Sequence, residues 1–258
     1  AIVVDENFKY IDSYESRCSL RPGLIPLPKA LLVNNTSIEK LEKINLSHYG
    51  LVLQIVQKFN EWSPAIFFGY NSIPFDEEFL RNTFLKTLFN PYITILDGNR
   101  RGDIINLVRS LNLFFPDSFK FPKTEKGKTS FKLENLAPLN GINHIAHDAM
   151  GDVKATIEIA KTISKNNPKL WNACLSSTSK EGVMKFINEN KIFCFGEAIF
   201  GKPNAFVGCF LFNHPIYNYP QIFDLKHCPE NLLYLSEKEL KKELIKSPKI
   251  IRTIKQNK

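Results

Sequence analysis

Two aspartates and one histidine in this chain have the side chains and positions that metal-assisted phosphodiester hydrolysis requires. Asp76 follows an apolar strand and a loop, and it begins a predicted helix. Asp152 lies near the start of a second predicted helix much later in the chain, and His147 stands five residues before Asp152. Such hydrolysis uses carboxylates from distant segments to hold two divalent ions about 3.5–4 Å apart. A neutral imidazole beside them can take a proton from the attacking water.

Each of these residues also has a simpler explanation when it is taken singly. Asp76 suits the first turn of any helix, because the helix dipole favours an acid there. Asp152 fits a solvated helix position, and His147 fits a cap or a hydrogen-bonded core histidine. Only the joint pattern of the three favours hydrolysis.

The elements that must position these residues predict an α/β fold. A buried-type strand is predicted at 65–68, directly before the loop that leads to Asp76. Ile104, Leu107, Val108 and Leu111 have the spacing of an amphipathic helix, which Asp103 can cap. A further helix is predicted from 148 to about 164. Strand-like runs then follow at 191–200, 205–212, 221–225 and 249–254. The change from helix-type to strand-type sequence patterns after residue 166 predicts a second, smaller and β-rich domain.

The net charge of +8 points to an anionic partner. Residues 161–258 carry 16 basic and 8 acidic side chains, whereas residues 1–160 carry 18 of each. Within the first part, residues 81–132 hold 10 basic and 4 acidic side chains. A phosphate polymer is attracted to such regions, although basic surfaces also serve solubility alone.

Cysteine usage and hydropathy exclude several classes of protein. None of the five cysteines lies two or three residues from another, which excludes zinc-finger spacing and indicates a reducing, cytosolic compartment. No signal sequence opens the chain and no apolar run reaches membrane length. We therefore expect no membrane partner.

Several segments resemble a known family of nucleases. Residues 146–156 resemble the third motif of the histidine-bearing DEDD class of 3′→5′ exonucleases, and residues 69–78 resemble the second. Residues 130–136 and 17–22 are similar to segments of the bacterial exodeoxyribonuclease I family. Residues 166–258 resemble its connector and SH3-like domain, so the resemblance covers essentially the whole chain.

The resemblance implies both a fold and an activity. Residues 1–165 would form a ribonuclease-H-like exonuclease domain, with a mixed five-stranded sheet and flanking helices. Residues 166–258 would form the connector and a small SH3-like β-rich domain. The implied activity is stepwise release of 5′-mononucleotides from the 3′ end of single-stranded DNA, in DNA repair and recombination in the bacterial cytoplasm.

The resemblance also implies residue roles. Asp76 and Asp152 would be metal ligands for a two-ion Mg²⁺ site, with Mn²⁺ as a substitute, and His147 would be the general base. The implied DNA contacts are Arg81, Tyr92, Arg109 and Lys132. The family usually has arginine at the position of Lys132, and these four side chains also fit an ordinary charged surface and a core tyrosine. The implied partners are single-stranded DNA and single-stranded-DNA-binding protein, for a monomeric enzyme.

The first motif of the family, Asp-x-Glu on an opening strand, has no counterpart in this chain. We expect it to precede Ala1, and we expect the helical third domain of the family to follow Lys258. Two carboxylates cannot hold two ions tightly, because affinity follows the number of charged ligands. We therefore expect a chain truncated at both ends, with little or no hydrolysis by these 258 residues.

Two other functions fit parts of the pattern. The first is a non-catalytic module of this fold that binds single-stranded DNA, which the missing motif and the net charge favour. The second is a ribonuclease or a proofreading exonuclease of the same fold. The SH3-like second domain and residues 130–136 speak against the second.

Overall fold

The computed structural model describes residues 1–143 and 149–255. Its first part contains, in chain order, β1 Ile2–Val4, β2 Tyr10–Ser13, α1 Pro28–Val33, α2 Ile38–Glu42, α3 His48–Trp62, β3 Ile66–Gly69, α4 Asp76–Lys86, β4 Arg100–Asp103, α5 Ile104–Phe114, α6 Leu133–Leu139 and α7 Ala149–Asn166. Two 3₁₀ turns lie at Ile93–Ile95 and Pro116–Ser118. The second part contains α8 Pro168–Ser177, α9 Lys180–Glu189, β5 Phe193–Ile199, β6 Lys202–Asn213, β7 Pro220–Asp224, α10 Glu230–Leu233, α11 Glu237–Ile245 and β8 Ile251–Thr253.

The strands of the first part form two separate pairs. β1 and β2 are antiparallel, with Val3 opposite Asp12, whereas β3 and β4 are parallel, with Phe67 opposite Arg101. The prediction of one mixed five-stranded sheet is not confirmed, since the described residues form two two-stranded sheets here. β1 and β3 both line a cavity of about 1890 Å³, and no strand pairing joins the two pairs within the described residues.

The main core lies between α5 and α7. The predicted stripe on α5 is confirmed, because Ile104, Leu107, Val108 and Leu111 are all buried. These side chains share one cluster with Ile159 and other residues of α7. Burial of each large aliphatic side chain contributes about 1.5–3 kcal/mol. This packing fixes the helix that carries Asp152 against the helix that follows β4.

A second core holds α4 against α3. Phe84 of α4 is 1% exposed and packs among Val52, Val56 and Phe59 of α3. The rings of Phe59 and Phe84 meet edge-on, with their centroids 6.4 Å apart. This cluster sets the direction of α4, and hence the place of its first residue, Asp76.

Helix α8 packs onto the strands of the first part. The ring centroid of Trp171 lies 5.5 Å from that of Phe8 and 5.7 Å from that of Phe68. Leu170 and Cys174 pack against the main core as well. Residues beyond 166 therefore help to support the strand that precedes Asp76.

The second part is built on an antiparallel sheet of order β5-β6-β7-β8, which agrees with the predicted β-rich texture. The side chain of Arg252 on β8 extends across this sheet, and its Nη1 lies 2.8 Å from Oε2 of Glu197 on the opposite edge strand, β5. The same guanidinium lies 3.3 Å above the ring of Phe206 on β6. One cation therefore links both edges of the sheet.

Within residues 1–143 and 149–255, no helix is long and apolar enough to cross a membrane.

Candidate active site

Asp76 is the first residue of α4, at the end of the loop that follows β3. The N–H groups of Phe75 and Glu77 donate to the carbonyl of Ser72, at 3.2 and 2.9 Å, and so close the turn before the helix. Asn71 has a φ of 59°, which lets the chain reverse direction there. Acids in this first turn face the positive end of the helix dipole. The loop therefore presents the Asp76 carboxylate at the carboxyl end of β3.

The buried carboxylate of Asp103 fastens this loop to the next parallel strand. Its Oδ1 accepts a hydrogen bond from the N–H of Asn71 at 2.7 Å, and its Oδ2 accepts one from the N–H of Ile73 at 3.2 Å. Oδ1 also accepts from the N–H of Ile105 at 3.2 Å, as the predicted N-cap of α5. Asp103 thus couples the start of α5 to the loop that carries Asp76.

Glu77 turns inward, beside the outward-facing Asp76. Its Oε2 accepts a hydrogen bond from Oγ1 of Thr94 at 2.8 Å and lies 3.2 Å from Nη1 of Arg101. All three side chains are buried. A paired and hydrogen-bonded buried carboxylate resists displacement, so Glu77 fixes the rotation of the first turn of α4.

Asp152 lies in the first turn of α7 and lines the same cavity as Asp76. The cavity therefore receives carboxylates from two helices that are distant in sequence. The predicted general base, His147, lies outside the described residues. Its position relative to the two carboxylates stays a prediction.

The electrostatics of Asp76 reflect this convergence of acids. Burial raises the pKa of Asp76 above its usual value. The negative charges of Asp103, Glu77 and Asp152 raise the pKa of Asp76 further, and a backbone hydrogen bond opposes them. A nearby cation would relieve this repulsion, because opposite charge favours the ionised carboxylate.

The donor set suits a hard divalent cation but is small. Carboxylate oxygens are ligands that Mg²⁺ and Mn²⁺ prefer, and Asp76 and Asp152 offer them from two sides of the cavity. Within the described residues, no group of three or more His, Cys, Asp or Glu side chains converges as a metal cluster. The two aspartates therefore fit as part of a metal site.

Two of the predicted DNA contacts lie on the same cavity as the acids. Arg109 and Lys132 both line it. The hydroxyl of Tyr70 donates to the carbonyl of Phe131 at 2.6 Å, which fastens the segment before Lys132 to the end of β3. Nζ of the exposed Lys132 lies 3.1 Å from Oε1 of Glu134. These cations are placed where a phosphate beside the carboxylates could be contacted.

The other two predicted contacts pair with each other. The guanidinium carbon of Arg81 lies 5.0 Å from the centre of the Tyr92 ring, and its Nη2 lies 3.5 Å from the tyrosine Oη. Arg81 also forms an ion pair of 2.7 Å with Glu78. Neither Arg81 nor Tyr92 lines the cavity, so these two form a separate surface on α4 and the turn that follows it.

The chain is similar in sequence to curated exodeoxyribonuclease I proteins, although no protein-family model matches it. The exodeoxyribonuclease I of Buchnera aphidicola from Acyrthosiphon pisum is 35% identical over 190 residues, which are 72% of this chain and 46% of that protein. The Escherichia coli exodeoxyribonuclease I is 30% identical over 191 residues, which are 73% of this chain and 40% of that protein. The present chain belongs to the exodeoxyribonuclease I family.

The likeness to solved structures extends over almost the whole chain. A crystal structure of E. coli exonuclease I in complex with a dA16 oligonucleotide matches with a TM-score of 0.79 and 26% identity, over 99% of this chain and 58% of that one. An ExoI/SSB-Ct complex matches with a TM-score of 0.77 and 25% identity, again over 99% and 58%. The exodeoxyribonuclease I-like chain spans about half the length of the curated relatives that it matches.

Sequence reasoning missed the second role of Asp103 and the inward turn of Glu77. Asp103 was predicted only as a helix cap, because nothing local in the sequence links it to a loop thirty residues earlier. A signal for Glu77 was available, since it shares a helical face with Leu80 and Phe84 at spacings of three and seven residues. An acid on an apolar stripe indicates a buried partner, here Arg101.

Proposed function

We propose that this chain belongs to a metal-dependent 3′→5′ exonuclease that degrades single-stranded DNA to 5′-mononucleotides in DNA repair and recombination. The observation that carries the proposal is the convergence of Asp76 and Asp152, from separate helices, on one cavity that Arg109 and Lys132 also line. The likeness to exodeoxyribonuclease I, solved with a single-stranded oligonucleotide, supports the choice of substrate.

Each residue of the candidate site would have a separate role in metal binding, positioning or proton transfer. Asp76 and Asp152 would hold the divalent ion, Mg²⁺ or Mn²⁺, which supplies charge stabilisation and an activated water when it is bound. Asp103 and Glu77 would keep the Asp76 carboxylate in place through their hydrogen bonds. His147 is proposed to accept the proton of the attacking water.

The basic side chains would guide the strand into the cavity. Arg109 and Lys132 are proposed to contact phosphates next to the scissile bond, and Arg81 is proposed to contact one farther along the strand. Tyr92, which is 43% exposed, is proposed to stack on a base. Arg81 would have to exchange its ion pair with Glu78 for a phosphate, and this exchange is favoured at low salt.

The wider organisation follows the same proposal. Residues 1–165 are proposed as a ribonuclease-H-like exonuclease domain, and residues 166–258 as a connector and an SH3-like domain. The four-stranded antiparallel β5–β8 sheet, whose two edges Arg252 links, supports the second assignment. Single-stranded-DNA-binding protein is proposed as a partner, because one matching structure is an ExoI/SSB-Ct complex. The enzyme is proposed to act as a monomer in the cytoplasm.

Digestion of 5′-labelled single-stranded DNA tests the proposal. The 258-residue chain, in excess over DNA and with millimolar Mn²⁺, is expected to shorten the strand slowly from its 3′ end. Asp76→Ala and Asp152→Ala should abolish the series of shortened DNA products. Asp117→Ala, at an exposed acid outside the cavity, should leave that digestion unchanged. Equal digestion by all four proteins would contradict the assignment of Asp76 and Asp152, whereas brisk turnover in low Mg²⁺ would contradict only the expectation of slow digestion.

A second candidate function is a non-catalytic module that binds single-stranded DNA. The observation in its favour is that no third His, Cys, Asp or Glu joins Asp76 and Asp152 within the described residues, in a chain of net charge +8. Such a module would bind DNA in a salt-sensitive way, with equal affinity in Mg²⁺ and in chelator. It would show no digestion even with excess Mn²⁺. Loss of DNA binding on chelation would exclude it.

A further inference from the structure

An ordered row of aromatic rings lies at the turn between β6 and β7. The ring centroids of His214 and Tyr217 are 5.1 Å apart, and those of Tyr217 and Tyr219 are 6.1 Å apart at an interplanar angle of 20°. We call these three residues the aromatic ladder. Tyr217 is 64% exposed, although large aromatic side chains usually lie in cores. None of the three rings lines the cavity of Asp76 and Asp152.

The backbone of the turn holds this ladder in place. The N–H of His214 donates to the carbonyl of Tyr219, and the N–H of Asn218 donates to the carbonyl of His214, both at 2.8 Å. Asn218 takes a φ of 52°, which asparagine adopts more readily than most residues. Rings on such a closed turn lose little conformational entropy when they bind a flat partner.

The imidazole of His214 strengthens the turn from within. Its Nδ1 accepts hydrogen bonds from the N–H groups of Ile216 and Tyr217, at 3.2 and 3.3 Å. An Nδ1 that accepts two donors carries no proton, so the ring is the tautomer with hydrogen on Nε2. That Nε2–H is a donor on the edge of the ladder.

The charges around the ladder suit a polyanion. No acidic residue occurs between Glu197 and Asp224, and the one charged residue of that stretch, Lys202, lies at the far end of β6. At the other side of the turn, the N–H of Ile254 donates to the carbonyl of Pro220 at 3.0 Å, which brings the exposed Lys255 next to the end of the ladder. A phosphate backbone would meet the Lys255 cation here and no carboxylate of this hairpin.

We propose that the aromatic ladder is a stacking site for the unpaired bases of single-stranded DNA, in addition to the contacts near Asp76. Aromatic faces bind any base, because every base has a π-face, and a basic surround then contacts the backbone. The proposal deepens the proposed function and rests on it. Its specific content is that Tyr217 binds bases and not phosphates.

Fluorescence anisotropy with two labelled probes tests this inference. One probe is an oligothymidylate, and the other is an abasic strand of equal length with the same phosphates. Both are measured at low salt in chelator, so that no digestion occurs. The parent chain should bind the oligothymidylate more tightly. Tyr217→Ala should weaken oligothymidylate binding about 5- to 100-fold and change abasic binding less than about twofold, because the phosphate contacts remain.

Two further variants complete the design. Tyr217→Trp should restore oligothymidylate binding, since it keeps a large ring, whereas a merely structural role of the tyrosine would not be rescued in this way. Tyr234→Ala is the matched control, because Tyr234 is 91% exposed and lies in another element. It should bind both probes like the parent.

The outcomes separate this inference from the proposed function. If Tyr217→Ala weakens both probes equally, or neither, the ladder is not a base-stacking site. If the parent binds both probes alike, the proposed function stands and the ladder assignment fails, which leaves a protein partner as its occupant. If the parent binds neither probe, both proposals fail together.

Discussion

The carboxylate of Asp103 holds the backbone N–H of Asn71 at 2.7 Å, across the parallel strands β3 and β4. The same side chain caps α5 through the N–H of Ile105. One buried acid therefore joins the loop before Asp76 to the main core. The position of a candidate metal ligand thus depends on a residue that does not itself line the cavity.

Replacement of Asp103 by alanine should destabilise the fold strongly. The variant loses the cap of α5 and leaves the N–H groups of Asn71 and Ile73 without their acceptor. We expect the free energy of unfolding to fall by about 2–4 kcal/mol, measured by urea denaturation. Ser236→Ala, which removes the cap of the exposed helix α11, should cost ~1 kcal/mol. A smaller loss for Asp103→Ala than for Ser236→Ala would contradict this role.

The charge of Asp76 should make stability depend on pH in a defined direction. Its pKa is raised in the folded state, chiefly by burial and then by neighbouring acids, so the folded state binds its proton more tightly than the unfolded state. The contribution of Asp76 to stability is therefore greatest below the unfolded pKa of about 3.8, and it is lost as pH rises through the folded pKa. Asp76→Asn removes the ionisable carboxyl group, and with it this loss of stability at higher pH.

Urea denaturation of Asp76→Asn and the parent at several pH values measures the effect. The stability of the variant relative to the parent should increase as pH rises above the unfolded pKa of about 3.8, and it should level off once pH exceeds the raised folded pKa. Asp117→Asn, at an exposed site, provides the comparison for a surface acid. A relative stability that falls with rising pH would contradict the direction of the shift.

Removal of Glu77 should cost far more than removal of an exposed acid. Glu77→Ala removes a carboxylate from beside the buried Arg101 and removes the acceptor of the Thr94 hydroxyl. We expect a loss of about 2–4 kcal/mol, because a buried ion pair and a buried hydrogen bond are broken. Glu39→Ala breaks the exposed pair with Lys43 and should cost at most ~1 kcal/mol. Thermal or urea unfolding distinguishes these values, and equal costs would show that the buried pair does not hold α4.

Amide hydrogen exchange should separate the two-stranded sheets from the four-stranded sheet. β7 is buried along its whole length and pairs with a strand on each side. β1 pairs with one strand only, β2, and it lines the cavity that β3 also lines. Local opening costs least where few backbone groups are buried, so β1 should exchange much faster than β7. Similar protection of both strands would contradict this picture of the cavity.

Periodicity predicted the helices that carry the candidate site residues. The stripe on α5 and the helix starts at Asp76 and near Asp152 could be predicted because they depend on neighbours three to seven residues away. The pairing of strands could not be predicted, because it depends on which edges meet in space. The two-stranded pairs around the cavity are of this kind.

The polar contacts between elements could not be predicted from the sequence either. Glu77 with Arg101, and Asp103 with Asn71, join segments that lie 24 and 32 residues apart. Local propensity carries no information on such pairs, since each member looks like an ordinary helix or loop residue. The position of His147 lies outside the described residues and stays a prediction.

Mn²⁺ binding tests the central claim, that Asp76 and Asp152 together hold a divalent ion, most directly. Free Mn²⁺ is followed by electron paramagnetic resonance as the chain is added, for the parent, Asp76→Asn, Asp152→Asn and Asp117→Asn. The parent and Asp117→Asn should bind the ion weakly, in the millimolar range expected for few charged ligands. The two site variants should each lose that binding. Unchanged binding in either site variant would show that the two carboxylates do not share an ion.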